Sequence, residues 1–323
     1  MAGVAQALVR RARWRWPEIV FWLLAYAALL MPPGKFLILN EIAILALFAL
    51  SLDLILGYAG IVSLGHAAFF GAGAYTAGLL AKHVTGNPLA GLFLGTVVAA
   101  VVGFATSFLV LRGSDLTRLM VTLGVALVLG EIANALPNIS GGADGLQGIA
   151  MGPLLGRFDF DLYGRTAYAY SLTTLFVLAL LARRMVVSPF GLSLMAIRRN
   201  PLRAGALGVP VNTRLIAAYT LAAAYAGAAG ALLAQTTAFV SLDVFEFHRS
   251  ADVLLVLIIG GAGWLYGGIA GAVIYKLLQD GIAALTPQYW QFWIGLLLVA
   301  FVMFGRQRLV GGLYAVLALA RRR

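Results

Sequence analysis

The feature that most constrains this chain is a succession of long apolar stretches almost free of charge. They run from Ile19 to Met31, Phe36 to Leu56, Ile61 to Leu80, Leu89 to Leu111, Leu119 to Leu136, Thr166 to Ala182, Leu215 to Val240, Val253 to Leu278 and Tyr289 to Phe304. Most approach the roughly 20 apolar residues that one membrane crossing needs. An open strand cannot satisfy its backbone in lipid, so each stretch reads as helix.

Composition makes the same demand. Only 11 % of the 323 residues are charged, less than half of the roughly 25 % with which a globular protein covers its wetted surface. The mean hydropathy is +0.95. At this length the chain holds about eight to eleven spans and leaves no room for a sizeable soluble domain. We therefore read residues 1–323 as one integral membrane domain, with a basic N-terminal arm over 1–16. No fixed-period repeat or low-complexity tract divides it.

Subtracting 12 acidic from 23 basic residues gives +11, a balance that fits anionic lipid or nucleic acid; the distribution of the charge favours lipid and no nucleic acid. With no cysteine, disulfides, thiolate metal sites and cysteine nucleophiles are excluded. His66, His83 and His248 are too scattered for a sequence-local metal site, and neither a metal nor a cofactor is expected.

Orientation follows from where Lys and Arg collect. Four stand before the first span, six between Arg183 and Arg214, and five between Arg306 and Arg323, together 15 of 23. These segments are expected in the cytoplasm, with both termini inside. Arg10, Arg11, Arg13 and Arg15 ahead of Ile19 to Met31 also have the dimensions of a signal peptide, although a retained span is the preferred reading. The connections Pro137 to Arg165 and Ser241 to Asp252 hold Asp144, Asp159, Asp161, Asp243, Glu246 and Asp252, half of the acids, and should lie outside.

Six crossings from an inside N-terminus place Arg183 to Arg214 inside, as its charge requires. Three further crossings would leave the Arg-rich C-terminus outside, so one stretch must be double. Val253 to Leu278, interrupted by Gly260, Gly261, Gly263, Gly267 and Gly268, is expected to be re-entrant or a broken pair of short helices. The fold class is thus all-α and polytopic, with about ten membrane segments and eight at the fewest. Most of the 38 glycines are expected to serve close helix packing.

The cytoplasmic segment 183–214 predicts a short helix from Leu192 to Arg199, limited by Pro201, and a second from Pro201 to Leu207, stopped by Gly208 and Pro210. Leu192, Met195, Ala196 and Arg199 share one face. A short basic element with an apolar face suits docking in a partner's cleft; the alternative is that its arginines only hold the loop at anionic lipid.

Ser188-Pro-Phe-Gly191, Ala196-Ile-Arg198-x-Asn200, Arg203-Ala204 and Ala206-Leu-Gly208 resemble the coupling loop of the branched-chain amino-acid ABC transporter permeases. Three further blocks resemble the same family. They are Leu56 to Gly60 with Ser63-Leu-Gly-His66 through Thr76, Gly141-Gly-Ala-Asp144-Gly-Leu-Gln-Gly148-Ile149, and Ile259 to Gly263 with Gly267 to Gly271. Within the family the second and third blocks look like those of the larger, LivM-type subunit.

The resemblance implies the permease subunit of an ATP-driven importer in the bacterial inner membrane. Its implied partners are a paralogous permease, two cytoplasmic ATPase subunits and an external substrate-binding protein, and its implied cargo is leucine, isoleucine or valine. Similar permeases serving urea, short amides or other amino acids remain open. In that picture Arg198, Asn200 and Arg203 anchor the coupling loop in the ATPase cleft, Gly208 ends its helix, and Gly191 belongs to the same loop. The chain itself lacks the P-loop pattern, since its only Gly-Lys pair, Gly34-Lys35, has Leu29 where the first glycine should stand.

Candidate path residues are Ser63 and His66, in a glycine-broken helix, and Glu131 with Asn134, one helical turn apart. For His66 the competing reading is a buried polar residue bonding a neighbouring helix. Asp53 is placed at the inner end of its span. Gly142 and Asp144 mark an external glycine-rich loop for a docked binding protein, or else a plain turn. An enzyme is not expected: Ser63 and His66 have no orienting acid and no nucleophile elbow. The reading from another class is an ATP-independent secondary transporter with Glu41 or Glu131 as a proton relay.

Overall fold

A chain this apolar must bond its own backbone internally wherever it meets hydrocarbon, and the computed structural model answers with helices. It describes residues 16–30 and 34–304. The basic arm, Trp16 excepted, and the arginine-rich segment from Arg306 to Arg323 lie outside the described residues. Thirteen α-helices follow in order: α1 Trp16–Ala27, α2 Phe36–Asp53, α3 Ala67–His83, α4 Pro88–Val110, α5 Asp115–Ala135, α6 Pro137–Ser140, α7 Arg165–Val187, α8 Pro189–Arg199, α9 Pro201–Ala206, α10 Val211–Thr237, α11 Phe247–Gly260, α12 Gly267–Leu285 and α13 Trp290–Phe304. Two isolated β-bridges and no sheet accompany them among the described residues.

Six helical segments are long and apolar enough to cross a membrane: 36–59, 88–110, 115–135, 165–187, 211–237 and 267–285. This is a multi-pass, all-helical membrane protein with six such segments among the described residues, where the sequence led us to expect about ten. The difference lies in α3, α11, α13 and the helix through Trp16–Leu30, which are shorter. The expected interruption of Val253 to Leu278 is present, with α11 ending at Gly260 and α12 beginning at Gly267.

The stretch from Ile61 to Leu80 requires a correction, because it is not one helix. Residue 60 to residue 66 are non-helical and α3 starts only at Ala67. Upstream, α2 widens into a π-turn over Leu54–Ala59, which stops at Gly60 in the left-handed conformation, φ +77°. Hydropathy sees an unbroken apolar run here, whereas the backbone leaves the helix.

The centre of the bundle is α10 against α3 and α4. Lipid supplies no hydrophobic drive for helix association, so close backbone approach must supply dispersion instead. A Cβ on Gly73 of α3 would lie 2.1 Å from the Gly227 carbonyl oxygen of α10, and one on Gly227 would lie 2.2 Å from the Ala99 Cβ of α4. By contrast α4 and α5 turn Phe93, Val101, Leu109, Met120 and Leu127 outward.

Polar ties fix the relative positions. Ser171 of α7 donates to Asn40 Oδ1 of α2 at 2.6 Å, and Asn40 donates to Thr236 of α10 at 3.1 Å. Gln235 donates to the Pro88 carbonyl at 2.8 Å, and the Tyr170 hydroxyl lies 3.0 Å from Gln235 Oε1. Glu18 of α1 pairs with Arg183 at the far end of α7.

Candidate functional site

Two interruptions and one surface helix converge at one end of the bundle. Helix α8 starts behind Ser188, whose hydroxyl accepts from the Phe190 N–H at 3.2 Å. Asn200 then caps α9 by accepting from the Arg203 N–H at 2.9 Å. Gly208, φ +83°, follows with open space around it. The second helix begins at Pro201 as expected, whereas the first begins at Pro189 and not at Leu192, because Ser188 ahead of proline is itself a strong start signal.

The inner face of α8 buries Gly191, Leu194 and Ile197. A Cβ at Gly191 would sit 2.2 Å from the Val186 oxygen, so this residue lets α8 fold back against α7. Arg214 of α10 lies 5.5 Å over the Phe190 ring and pins the start of the helix. The opposite side of the segment leaves Ala196, Arg199 and Arg203 exposed, with Leu202 at 85 % and Leu207 at 79 % exposure. Of the face expected to dock, Ala196 and Arg199 are exposed, whereas Leu192 is half-buried and Met195 packs against the core.

Arg198, itself exposed to the surroundings, donates to the Gly57 carbonyl of the π-turn. Beside it, the fully buried Asp53 carboxylate accepts the Gly263 N–H at 2.7 Å through Oδ1. Its other oxygen has no hydrogen-bond partner. Gly57 could carry no side chain, since its Cβ would stand 1.9 Å from Asp53 Oδ1 and 2.5 Å from the Gly263 nitrogen. Gly263 adopts φ +83°, and a Cβ there would be 3.1 Å from the Arg198 guanidinium. Thus α8, the end of α2 and the 261–266 linker meet at one point.

The 60–66 segment continues from that junction into the bundle. Its backbone and the start of α3 are held by two side-chain hydroxyls from other helices, Ser250 and Thr122, and by the Thr122 backbone. The Ala67 N–H donates to Ser250 of α11 at 2.9 Å, the Leu64 N–H lies 3.3 Å from Thr122 of α5, and Gly65 packs against the Thr122 carbonyl. His66, fully buried, stacks on Phe48 with centroids 5.6 Å apart, and its Nε2 lies 2.8 Å from Ser51 Oγ. Ser51 also contacts the Phe48 carbonyl at 2.6 Å. A hydroxyl has one proton; spent on Phe48, it leaves Nε2–H as the donor to Ser51. The His66 Nδ1 and the buried Ser63 hydroxyl then stand without partners.

Glu131 and Asn134 lie exposed on α5, while Ser63 and His66 are fully enclosed. The structure therefore sets these two pairs in different environments. Gly142 is buried in left-handed backbone, its Cβ position 3.1 Å from Pro137 and 3.6 Å from the Asn134 carbonyl, and Asp144 is exposed. The loop is no loose turn. Leu146 and Val240 exchange two backbone hydrogen bonds, 2.7 and 3.3 Å, and buried Leu146 packs at Gly78 of α3.

Ser51, Thr122 and Ser250 were missed by sequence reasoning. Their only signal is a hydroxyl inside or beside an apolar run, and most such hydroxyls bond their own helix, as Thr96, Thr173 and Thr236 do.

The structure defines a multi-pass helical membrane protein with a short surface helix seated on two helix interruptions. The sequence profile described as branched-chain amino acid transport system / permease component matches residues 35–302, and the chain belongs to that family. It is 30 % identical over 264 residues to the high-affinity branched-chain amino acid transport system permease protein LivM of Salmonella typhimurium, and equally to that of Escherichia coli, covering 72 % of this chain. The chain spans 60 % of the length of those relatives. It is also 26 % identical over 249 residues to a probable branched-chain amino acid transport permease protein LivH of Methanocaldococcus jannaschii, covering 73 % of this chain and 76 % of that one. No solved structure matches.

Proposed function

We propose that the chain is the LivM-type permease subunit of an ATP-driven importer for leucine, isoleucine and valine in the bacterial inner membrane. The carrying observation is the pair α8–α9, whose inner face is fastened to the bundle while Leu202, Leu207, Arg199 and Arg203 stand exposed. An exposed apolar and basic rim of this kind fits a cleft on a cytoplasmic ATPase subunit. A paralogous permease and an external binding protein complete the assembly, the latter at the Gly142 and Asp144 loop.

The expected ten segments with cytoplasmic termini follow if α1, α3, α11 and α13 cross together with the six long helices. Transport then proceeds by alternating access, in which ATP binding between the ATPases draws the docked loops together and biases the permeases between outward and inward states. The secondary-transport reading is less well supported, because Glu41 lies 2.6 Å from Lys276 in an ion pair and Glu131 is exposed.

The test is uptake of labelled leucine in cells lacking the chain and in cells with it restored, with unlabelled valine and urea as competitors. Uptake that is lost, regained and suppressed by valine supports the reading. Unchanged leucine uptake with urea transport dependent on the chain transfers the cargo to the amide class.

A further inference from the structure

We propose that Arg198 and Asp53 are positioning residues that clamp α8 onto the two interruptions of the bundle, so that movement of α8 is delivered to the 60–66 segment and the α11–α12 linker. This rests on the coupling-loop reading above and names the receiver of the motion.

The argument begins with what a regular helix can do. Its carbonyls are bonded within the helix and it moves as a rod, whereas an interruption has free backbone groups and few internal constraints. The Arg198 side chain selects such a group, the Gly57 carbonyl in the π-turn. Asp53 selects another, the Gly263 N–H in the linker. Neither contact is local, since 141 residues separate Arg198 from Gly57 and 210 separate Asp53 from Gly263. Three positions without side chains make the approach possible: Gly57 and Gly263, described above, and Gly60, where a Cβ would be 2.8 Å from Arg198 Cγ.

The bare Asp53 Oδ2 gives the clamp a second arrangement. A buried carboxylate oxygen without a donor carries a free-energy cost. The Arg198 guanidinium, which reaches the same junction at the Gly57 carbonyl, has five N–H donors. A tilt of α8 that carries the guanidinium from the Gly57 carbonyl to Oδ2 would exchange a charge–carbonyl bond for an ion pair. The π-turn would then be released from α8 while the linker stays held. From Gly60 the chain runs directly to Ser63 and His66, so the first element displaced is the one carrying the enclosed path candidates.

The chain has no cysteine, which permits a covalent substitute for the clamp. The Cβ position of Gly60 lies 3.5 Å from Arg198 Cβ, within the roughly 3.5–4.5 Å that a disulfide spans. The experiment uses the full transporter, with cysteine-free partners, in proteoliposomes containing the binding protein and leucine. It reads leucine moved per ATP hydrolysed. The Gly60→Cys/Arg198→Cys double variant, reduced, should still hydrolyse ATP but move at least about tenfold less leucine per ATP. Oxidation, with the disulfide verified by mass, should bring the ratio back to within about twofold of the parent. A formed disulfide that restores nothing, or a reduced variant with normal coupling, overturns the proposal.

Asp53→Asn supplies an independent arm if the double variant fails to fold. Its amide oxygen can still accept from Gly263 while the charge is gone, and the same fall of about tenfold is expected with assembly and ATPase rate unchanged. Normal leucine per ATP in this variant overturns the proposal. A parent chain that captures no ATPase, or supports no ATP-dependent uptake, removes the coupling-loop reading itself and the inference with it.

Discussion

Ser250 illustrates how much a single buried hydroxyl can carry in lipid. It is fully buried and accepts the Ala67 N–H at 2.9 Å, a donor that no water can reach. Ser250→Ala should lower stability in detergent by about 1–3 kcal/mol, the cost of an unsatisfied buried amide, measured as a drop in unfolding temperature. Asp161 acts ahead of α7, accepting from the Thr166 and Arg165 N–H groups at 2.9 and 3.2 Å. Burial alone would raise its pKa, but those donors outweigh it and hold the carboxyl below its ordinary range. The folded value being depressed, the stabilisation is complete above the unfolded value near 3.9 and is lost as pH falls through the lower folded one. Asp161→Ala should therefore cost about 0.5–1 kcal/mol at pH 7, with allowance for exposure. In thermal melts the gap should close below about pH 4. Of these residues the sequence announces the caps, because Ser188 and Asn200 precede prolines. Ser250 is silent, since a serine at the head of an apolar run looks the same whether it bonds its own helix or a distant one.

Among elements, the seam of α3, α4 and α10 depends on backbone contact, not on side-chain volume. Gly73→Val should incur an overpacking penalty at the upper end of about 1–3 kcal/mol, because the added Cβ meets a carbonyl oxygen at 2.1 Å and neither helix has a flexible side chain there to yield. Yield after extraction and unfolding temperature would both fall; an unaltered melt would contradict the seam. The two interruptions were unequally legible. Five glycines between Gly260 and Gly268 advertise the one in the second half. The break after Gly60 is masked by Ile61, Val62 and Leu64, whose hydropathy is indifferent to whether the backbone is helical. Prolines bound the two loop helices, although the Ser188 cap starting the first at Pro189 was overlooked, and the direction of Arg198 was not legible, since its partner is the Gly57 carbonyl far away in sequence.

At the scale of the whole molecule, charge bias and crossing parity predict an orientation, and the cysteine-free background makes it checkable. Leu202→Cys should react with a membrane-impermeant maleimide only in inside-out vesicles, and Leu162→Cys, 97 % exposed, only in right-side-out cells; the reverse pattern would invert the topology. Partner surfaces and the path were not legible, because Glu131 and Asn134 satisfy every sequence rule for a polar pair and yet stand apart from enclosed His66. The paired backbone bonds between Leu146 and Val240 carry one more consequence. They splice the connection after α5 to the connection after α10, loops contributed by different halves of the chain. Displacing either loop therefore pulls on the other, and through Leu146 packed at Gly78 and Val240 just beyond Thr237 the strain falls on α3 and α10 together.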